Sequence, residues 1–276
     1  MFPSFLLSLR EGLEAALIIG IILGALGKLR QEELKPVVWR GVGVAVALSL
    51  VVGLGLNLLG MEFGGQLEEA FEGVAMLLAA AILTWMILWM QRRGGQMQRD
   101  IEAKTTHAAL KRGGSALFIL AFLAVFREGI ELALFLMAAR MASSPIETIV
   151  GAILGLGGAI ALGWIIFSTT RRLNLRNFFQ ITNVLLLFFA AGLVGLGIHE
   201  LNEAGWVPAI VENVWDINYI LSDKSEVGEI LKALFGYNGN PSLSEVIAYL
   251  GYFAILGTIL LKNQRNQLKT RAVPVQ

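Results

Sequence analysis

Residues Phe5–Gly20, FLLSLREGLEAALIIG, and Phe122–Met137, FLAVFREGIELALFLM, are near copies set 117 residues apart. Each runs apolar for a turn or two, breaks into Arg-Glu-Gly-x-Glu, and then resumes as an apolar run. An unpaired charge at the centre of a bilayer costs at least about 2.5–3.5 kcal/mol. A chain that places Arg10, Glu11 and Glu14, then Arg127, Glu128 and Glu131, in such runs needs a reason for them.

The surrounding sequence shows what kind of run this is. Of 276 residues, 56% are hydrophobic and 16% charged, and the mean hydropathy is +0.68. A soluble domain would carry about 25% charge. Several windows of about 20 residues are almost purely apolar, the length that crosses a hydrocarbon layer of about 30 Å. Because lipid offers no hydrogen-bond partners, such spans must be helices. The expected fold is all-α and polytopic, with seven transmembrane helices near 4–27, 38–60, 70–90, 115–138, 147–168, 178–198 and 244–262. The first run lacks a basic leading segment and carries charges within it, so it reads as an uncleaved span and not a signal peptide.

Lys and Arg placement sets the expected orientation. Segments 28–37, 91–114, 169–177 and 262–276, with Arg40, hold 17 of the 22 basic residues. The alternate segments 61–69, 139–146 and 199–243 hold only Arg140, Lys224 and Lys232. The N-terminus is therefore expected outside and the C-terminus in the cytoplasm. Thirteen of the 21 acidic residues fall in or beside the outward segments, a distribution that raises the local concentration of cations. A net charge of +1 gives no sign of nucleic-acid binding. The absence of cysteine excludes disulfides, thiolate metal sites and cysteine nucleophiles.

With that topology, span one runs inward and span four outward, so similar sequences are inserted in opposite senses. This is the mark of an inverted repeat, in which the substrate site sits near mid-membrane at the repeat interface. The expected organisation is residues 1–90 as the first three-helix repeat, 91–114 as a cytoplasmic loop and 115–198 as the second repeat. Residues 199–243 then form an extracytoplasmic loop, and 244–276 the seventh span and a cytoplasmic tail. At 1.5 Å per residue, Glu11 and Glu128 both fall about 10 Å below the outer boundary. The two motifs can meet.

Within each motif the glutamates are i, i+3, while the arginine and second glutamate are i, i+4. Gly12 and Gly129 allow close helix approach. The bland alternative is that Arg10–Glu14 and Arg127–Glu131 are salt bridges that only fix packing, which leaves Glu11 and Glu128 over. The functional reading is a hard-cation site of Glu11, Glu14, Glu128 and Glu131 with Arg10 and Arg127 as counter-charges. The six side chains sum to −2 when all are ionised: a divalent ion neutralises that, a trivalent ion overshoots by one unless an arginine swings away, and the sum alone does not choose between them. A proton relay through the same carboxylates is a further reading.

On the outward side, Glu69 and Glu72 open span three, where acidic capping of a helix N-terminus is the simpler account. His199, Glu200 and Glu203 close span six. Their order superficially matches H-E-x-x-H, but Glu203 replaces the second histidine, so a zincin reading fails. His199 and Glu203, at i, i+4, can share a metal, and the two clusters together are candidates for an outer inlet or metal relay. Within 199–243, VPAIVENVWDINYIL and VGEILKALFGYNGNPS are expected as lid-like loop on the membrane, although the second has the pattern of a short amphipathic helix. The pairs Met86/Met90 and Met137/Met141 read as packing, and GAILGLGGAIALG in span five as a small-residue helix contact. No nucleotide motif is present, so transport would be secondary or partner-driven.

The doubled Arg-Glu-Gly-x-Glu resembles the oxidase-dependent iron permease family, and its bacterial, EfeU-type branch most of all. The likeness extends to EEAFEGVAMLLAAAILTWMILWM, AAGLVGLGIHELNEAG and FGYNGNPSLSEV, and so covers most of the chain. The resemblance implies a seven-span iron importer of the cytoplasmic membrane, in which Glu11, Glu14, Glu128 and Glu131 bind iron in passage. It implies iron as transported substrate, with no permanent cofactor. It also implies an extracytoplasmic oxidase or peroxidase and a periplasmic iron-binding protein as partners; an oligomer is compatible with it. Lead-uptake relatives share the motif. Two rival classes stand beside this reading. An intramembrane di-metal carboxylate oxidoreductase is disfavoured because the fourth motif position is Glu, where di-iron bundles use Glu-x-x-His. A metal sensor would need a sizeable cytoplasmic effector domain, and none is visible.

Overall fold

In the computed structural model, which describes residues 1–59, 64–111, 113–168, 175–223 and 225–271, the apolar runs are helices. They are α1 (Phe2–Lys28), α2 (Lys35–Leu59), α3 (Gln66–Lys111), α4 (Gly113–Ala142), α5 (Pro145–Ser168), α6 (Leu175–Glu203), α7 (Glu226–Phe235) and α8 (Leu243–Arg271). A short 3₁₀ turn, Glu32–Leu34, precedes α2, and no strand occurs among the described residues. Among the described residues, five helical segments are long and apolar enough to cross a membrane: Glu32–Leu56, Gln66–Gln91, Pro145–Ser168, Asn177–Glu203 and Leu243–Lys262. Helices α1 and α4, 27 and 30 residues long, match them in length but carry the two charged motifs. The chain is an all-helical, multi-pass membrane protein.

Two ladders of small residues fix how the helices run. Ser4, Ser8, Gly12 and Ala16 of α1 face Gly151, Gly155, Ala159 and Gly163 of α5. A Cβ placed on Gly12 would lie 2.7 Å from the Ala159 Cβ, and one on Gly163 would lie 3.0 Å from the Ala16 Cβ. Numbers rise together along this contact, so α1 and α5 are parallel. The second ladder has the same form. Gly41, Ser49 and Gly53 of α2 face Ala121, Gly129 and Ala133 of α4, and those helices are parallel too. Van der Waals contact at spacings of four residues drives such association where no hydrophobic effect operates between helices. The third major contact, α3 on α6, is antiparallel: Gly73 lies against Gly197 and Leu201, and Gly197 against Leu77. The small-residue pattern of span five is thus a helix contact, as expected.

Helices α1 and α4 cross in opposite senses. The first half of α1, with Leu6 and Leu7, packs in one apolar cluster with Phe135, Ala138, Ala139 and Ala142 from the end of α4. Its second half, with Ile18, Ile22 and Leu26, packs in another with Leu117, Ala121 and Val125 from the start of α4. The charged motifs lie between these two clusters.

The sequence expectation differs from the structure in three places. Segment 91–114, expected as a loop, continues α3 as helix to Lys111. Its residues are mostly strong helix formers, so leaving the apolar run gives the backbone no reason to unwind. Residues 226–235, expected as loop, form α7. Ser225 caps it by accepting a hydrogen bond from the Gly228 amide at 3.0 Å, and Gly236 ends it in the left-handed region at φ +67°. The last helix also runs past the expected span, to Arg271. The expected loop 169–177 falls largely outside the described residues, as do part of 61–69 and the tail after Arg271.

Candidate metal centre

Each motif contains its own small-residue contact, and this is what aims it. Gly12 holds α1 against α5, and Gly129 holds α4 against α2, where a Cβ would lie 2.6 Å from the Ser49 Cβ. The neighbouring carboxylates then turn to the α1–α4 crossing. Here the structure refines the sequence expectation: the two glycines serve flanking helices and not the crossing itself.

Arg10 is fully buried. Its Nη1 donates to the Glu11 Oε1 at 2.7 Å. Its Nη2 lies 3.0 Å from the Glu14 Oε1, an ion pair whose angles fall short of a hydrogen bond. The Met86 and Met90 sulfurs, 3.5 and 3.7 Å away, close the other side of the guanidinium. Arg127 uses its Nε, 2.9 Å from the Glu131 Oε1 and 3.8 Å from the Glu128 Oε1. Its guanidinium carbon stands 5.4 Å from the centroid of the Trp89 ring, within cation–π range.

The expected division, one bridged and one spare glutamate per motif, is not what forms. Arg10 binds both glutamates of its motif, because Glu11, although adjacent in sequence, reaches the same guanidinium. The surplus is instead one oxygen per carboxylate. The Oε2 atoms of Glu11, Glu128 and Glu131 are buried without a hydrogen-bond partner. Ligand oxygens of these same three residues lie within 4.8 Å of one another, and the carboxyl groups of Glu11 and Glu128 are in hydrogen-bonding reach. Buried acceptors facing acceptors are costly unless a proton or a cation stands between them. Among the described residues this is the only such convergence of three or more metal-capable side chains, and it draws on both motifs. Glu14 is buried beside it but turned to Arg10. The group consists of glutamates alone, which suits a hard or borderline cation.

Met86, Trp89 and Met90 are the contribution the sequence reading missed. At i, i+3, i+4 they form one face of α3, and that face touches both arginines. The signal was a Met pair at helical spacing, which packing explained equally well.

The outer residues arrange themselves differently. Glu200 of α6 feels the charge of Glu72 of α3, with Lys232 of α7 also in range. Glu69 lies one turn before Glu72. The His199 Nε2 is 3.4 Å from Glu203, while its Nδ1 is 3.0 Å from Glu245. The imidazole thus stands between two carboxylates on different ring nitrogens and ties α6 to α8. Glu245 was not foreseen, although S-L-S-E has capping-box spacing. Its Oε1 accepts from the Ser242 amide at 3.1 Å, and its own amide donates to the Ser242 Oγ at 3.3 Å. Asn238 donates to its other oxygen at 2.8 Å, and the Asn202 amide sits between the Ser242 and Ser244 hydroxyls. Ser242→Ala should weaken this cap by about 1 kcal/mol. Amides 244–247 should then exchange about fivefold faster with solvent, with metal binding at the glutamates unaffected.

The chain is thus an all-helical membrane protein whose two charged motifs meet in a buried cluster of glutamates between antiparallel helices. Comparison with known proteins makes this specific: the model of the "Iron permease FTR1 family" matches residues 1–265, and the chain belongs to that family. It is 39% identical over 255 residues to the "Ferrous iron permease EfeU" of Escherichia coli O6:K15:H31 (strain 536 / UPEC), covering 91% of this chain and 92% of that protein. It is 38% identical over 254 residues to the protein of the same name from Yersinia pestis, covering 91% and 90%. No solved structure matches the chain.

Proposed function

We propose that this chain carries iron inward across the cytoplasmic membrane through a site shared by its two Arg-Glu-Gly-x-Glu motifs. The observation that carries the reading is the meeting of Glu11 with Glu128 and Glu131, each with an unpartnered buried oxygen. The seven spans are α1, α2, the first part of α3, α4, α5, α6 and α8. Spans 1–3 and 4–6 form the inverted repeat. Support comes from the duplicated motif and the antiparallel α1–α4 crossing. The exchange of partners, α1 on α5 and α2 on α4, also fits a two-fold relation. The distribution of Lys and Arg supports an outer N-terminus and a cytoplasmic C-terminus.

Iron gathers at the acidic outer face (Glu69, Glu72, His199, Glu200, Glu203), passes to the glutamate centre, and leaves inward as the repeats rock against each other. The family resemblance supports ferric iron handed over by an extracytoplasmic oxidase or peroxidase and a periplasmic binding protein. Direct passage of ferrous iron is the second reading. It is consistent with the −2 sum of the four glutamates and two arginines, and is favoured by the name of the relatives, ferrous iron permease.

The test is radio-iron uptake into liposomes holding the purified protein, with iron supplied either as ferric citrate or as ferrous iron under ascorbate. Glu11→Ala and Glu128→Ala should each lower uptake at least about tenfold, the loss that removing one good charged ligand brings (about 1.4 kcal/mol or more). Unchanged uptake in both variants rejects the site. Ferrous oxidation in detergent without uptake would favour the oxidoreductase, and competition by lead would widen the cargo.

A further inference from the structure

The two motifs have nearly one sequence, yet their arginines stand in different surroundings. Arg10 has no exposed surface, binds two carboxylates and is backed by two thioether sulfurs. Releasing it would strand a buried cation. Arg127 is 47% exposed, holds Glu131 through its Nε alone, stands further from Glu128, and lies over the Trp89 indole. Its guanidinium can leave the carboxylates and keep a favourable partner, because the face of Trp attracts a cation most strongly among the aromatics.

We infer that Arg127 is the movable counter-charge of the centre and sets which cation valence it accepts, with Trp89 as the partner it keeps when it leaves the carboxylates. This rests on the proposed glutamate site. With both arginines in place the six groups sum to −2; with Arg127 withdrawn, the remaining five sum to −3. The centre can therefore match a divalent or a trivalent ion by the movement of one side chain, while Arg10 keeps the rest of the site assembled. Arg127 is a positioning residue here: it acts on the cargo through Glu128 and Glu131.

The test uses redox-inert ions, so that valence is not confounded by electron transfer. Gallium(III), supplied as citrate, and manganese(II) are titrated against the purified full chain in detergent. Arg127→Gln should raise the ratio of gallium to manganese affinity about tenfold or more, because a unit charge a few ångströms away acts in proportion to the ion's own charge. Arg127→Lys, which retains the charge, should leave the ratio within a few-fold of the parent. Glu128→Gln, in the same assay, should weaken both ions together. If Glu128→Gln binds both ions normally, the site itself is wrong. If it loses both while Arg127→Gln leaves the ratio unchanged, the site stands and the role of Arg127 is overturned. A second measurement needs no Arg127 variant: gallium binding to the parent should change tryptophan emission by a component that Trp89→Phe lacks. Gallium bound with no Trp89-dependent change also overturns the inference.

Discussion

Arg10→Gln is expected to lose about 3–5 kcal/mol of stability, the cost of breaking a buried ion pair from one side. Thermal unfolding in detergent should show a large drop in midpoint. The reason is geometric. Arg10 is the common partner of Glu11 and Glu14, all three being buried, so its loss strands two carboxylates in one step. Water cannot repay the loss, because apolar clusters close the centre on both sides along the helices. Arg127→Gln should cost less, since that side chain is half exposed and engages its carboxylates through Nε alone. A compensated variant separates folding from function. Arg10→Leu combined with Glu11→Gln and Glu14→Gln removes the whole charge set, and uncharged replacements of buried ion clusters often restore stability. That triple variant should recover most of the midpoint and remain inactive in iron uptake. A midpoint for Arg10→Gln close to the parent's would mean that Arg10 does not hold the centre together.

The meeting of the motifs was legible in the sequence because helical rise and span limits are nearly invariant. Counting residues from opposite faces put Glu11 and Glu128 at one depth, and the structure brings these two residues together. The stripe Gly151, Gly155, Ala159 and Gly163 was legible as a contact for a related reason: four-residue spacing of small side chains has few other uses in lipid. Side-chain choices between neighbours were not legible. Spacing alone assigned Arg10 to Glu14, but a long guanidinium with several donors reaches the adjacent Glu11 as well. Nor does the sequence say which rotation of α3 faces the centre. Met86, Trp89 and Met90 meet the arginines because α3 is held at Gly73 against α6, a contact with a partner far along the chain. The helical continuation at 91–111 was missed for a different reason: hydropathy marks where lipid ends, not where hydrogen bonding ends.

Gly129→Ala should be nearly as damaging to transport as loss of a ligand, although it changes no charge. A methyl group there would stand 2.6 Å from the Ser49 Cβ and nearer still to its Oγ. Rotating the Ser49 hydroxyl relieves only the second contact, because the Cβ is fixed to the α2 backbone. The helices α2 and α4 must therefore separate locally, and Glu128, the next residue, moves with α4. A displacement of this order at a ligand is enough to cost about a hundredfold in activity when geometry is strict. Iron uptake should fall by at least about tenfold, while the protein still folds, since the rest of the ladder at Gly41 and Gly53 is untouched. The decisive comparison is the double variant. Ser49→Gly removes the obstructing Cβ from the opposite helix, so Gly129→Ala with Ser49→Gly should regain most of the lost uptake, whereas Ser49→Gly alone should change it little. Such rescue is a coupling between contacting residues that independent effects would not produce. Additive losses in the double variant would show that Gly129 matters for some reason other than the approach of α2. The same logic applies at Gly12, where Ala159 stands in place of Ser49. In each half of the chain, the glycine between the two glutamates seats its helix on a flanking partner and thereby sets where the carboxylates point.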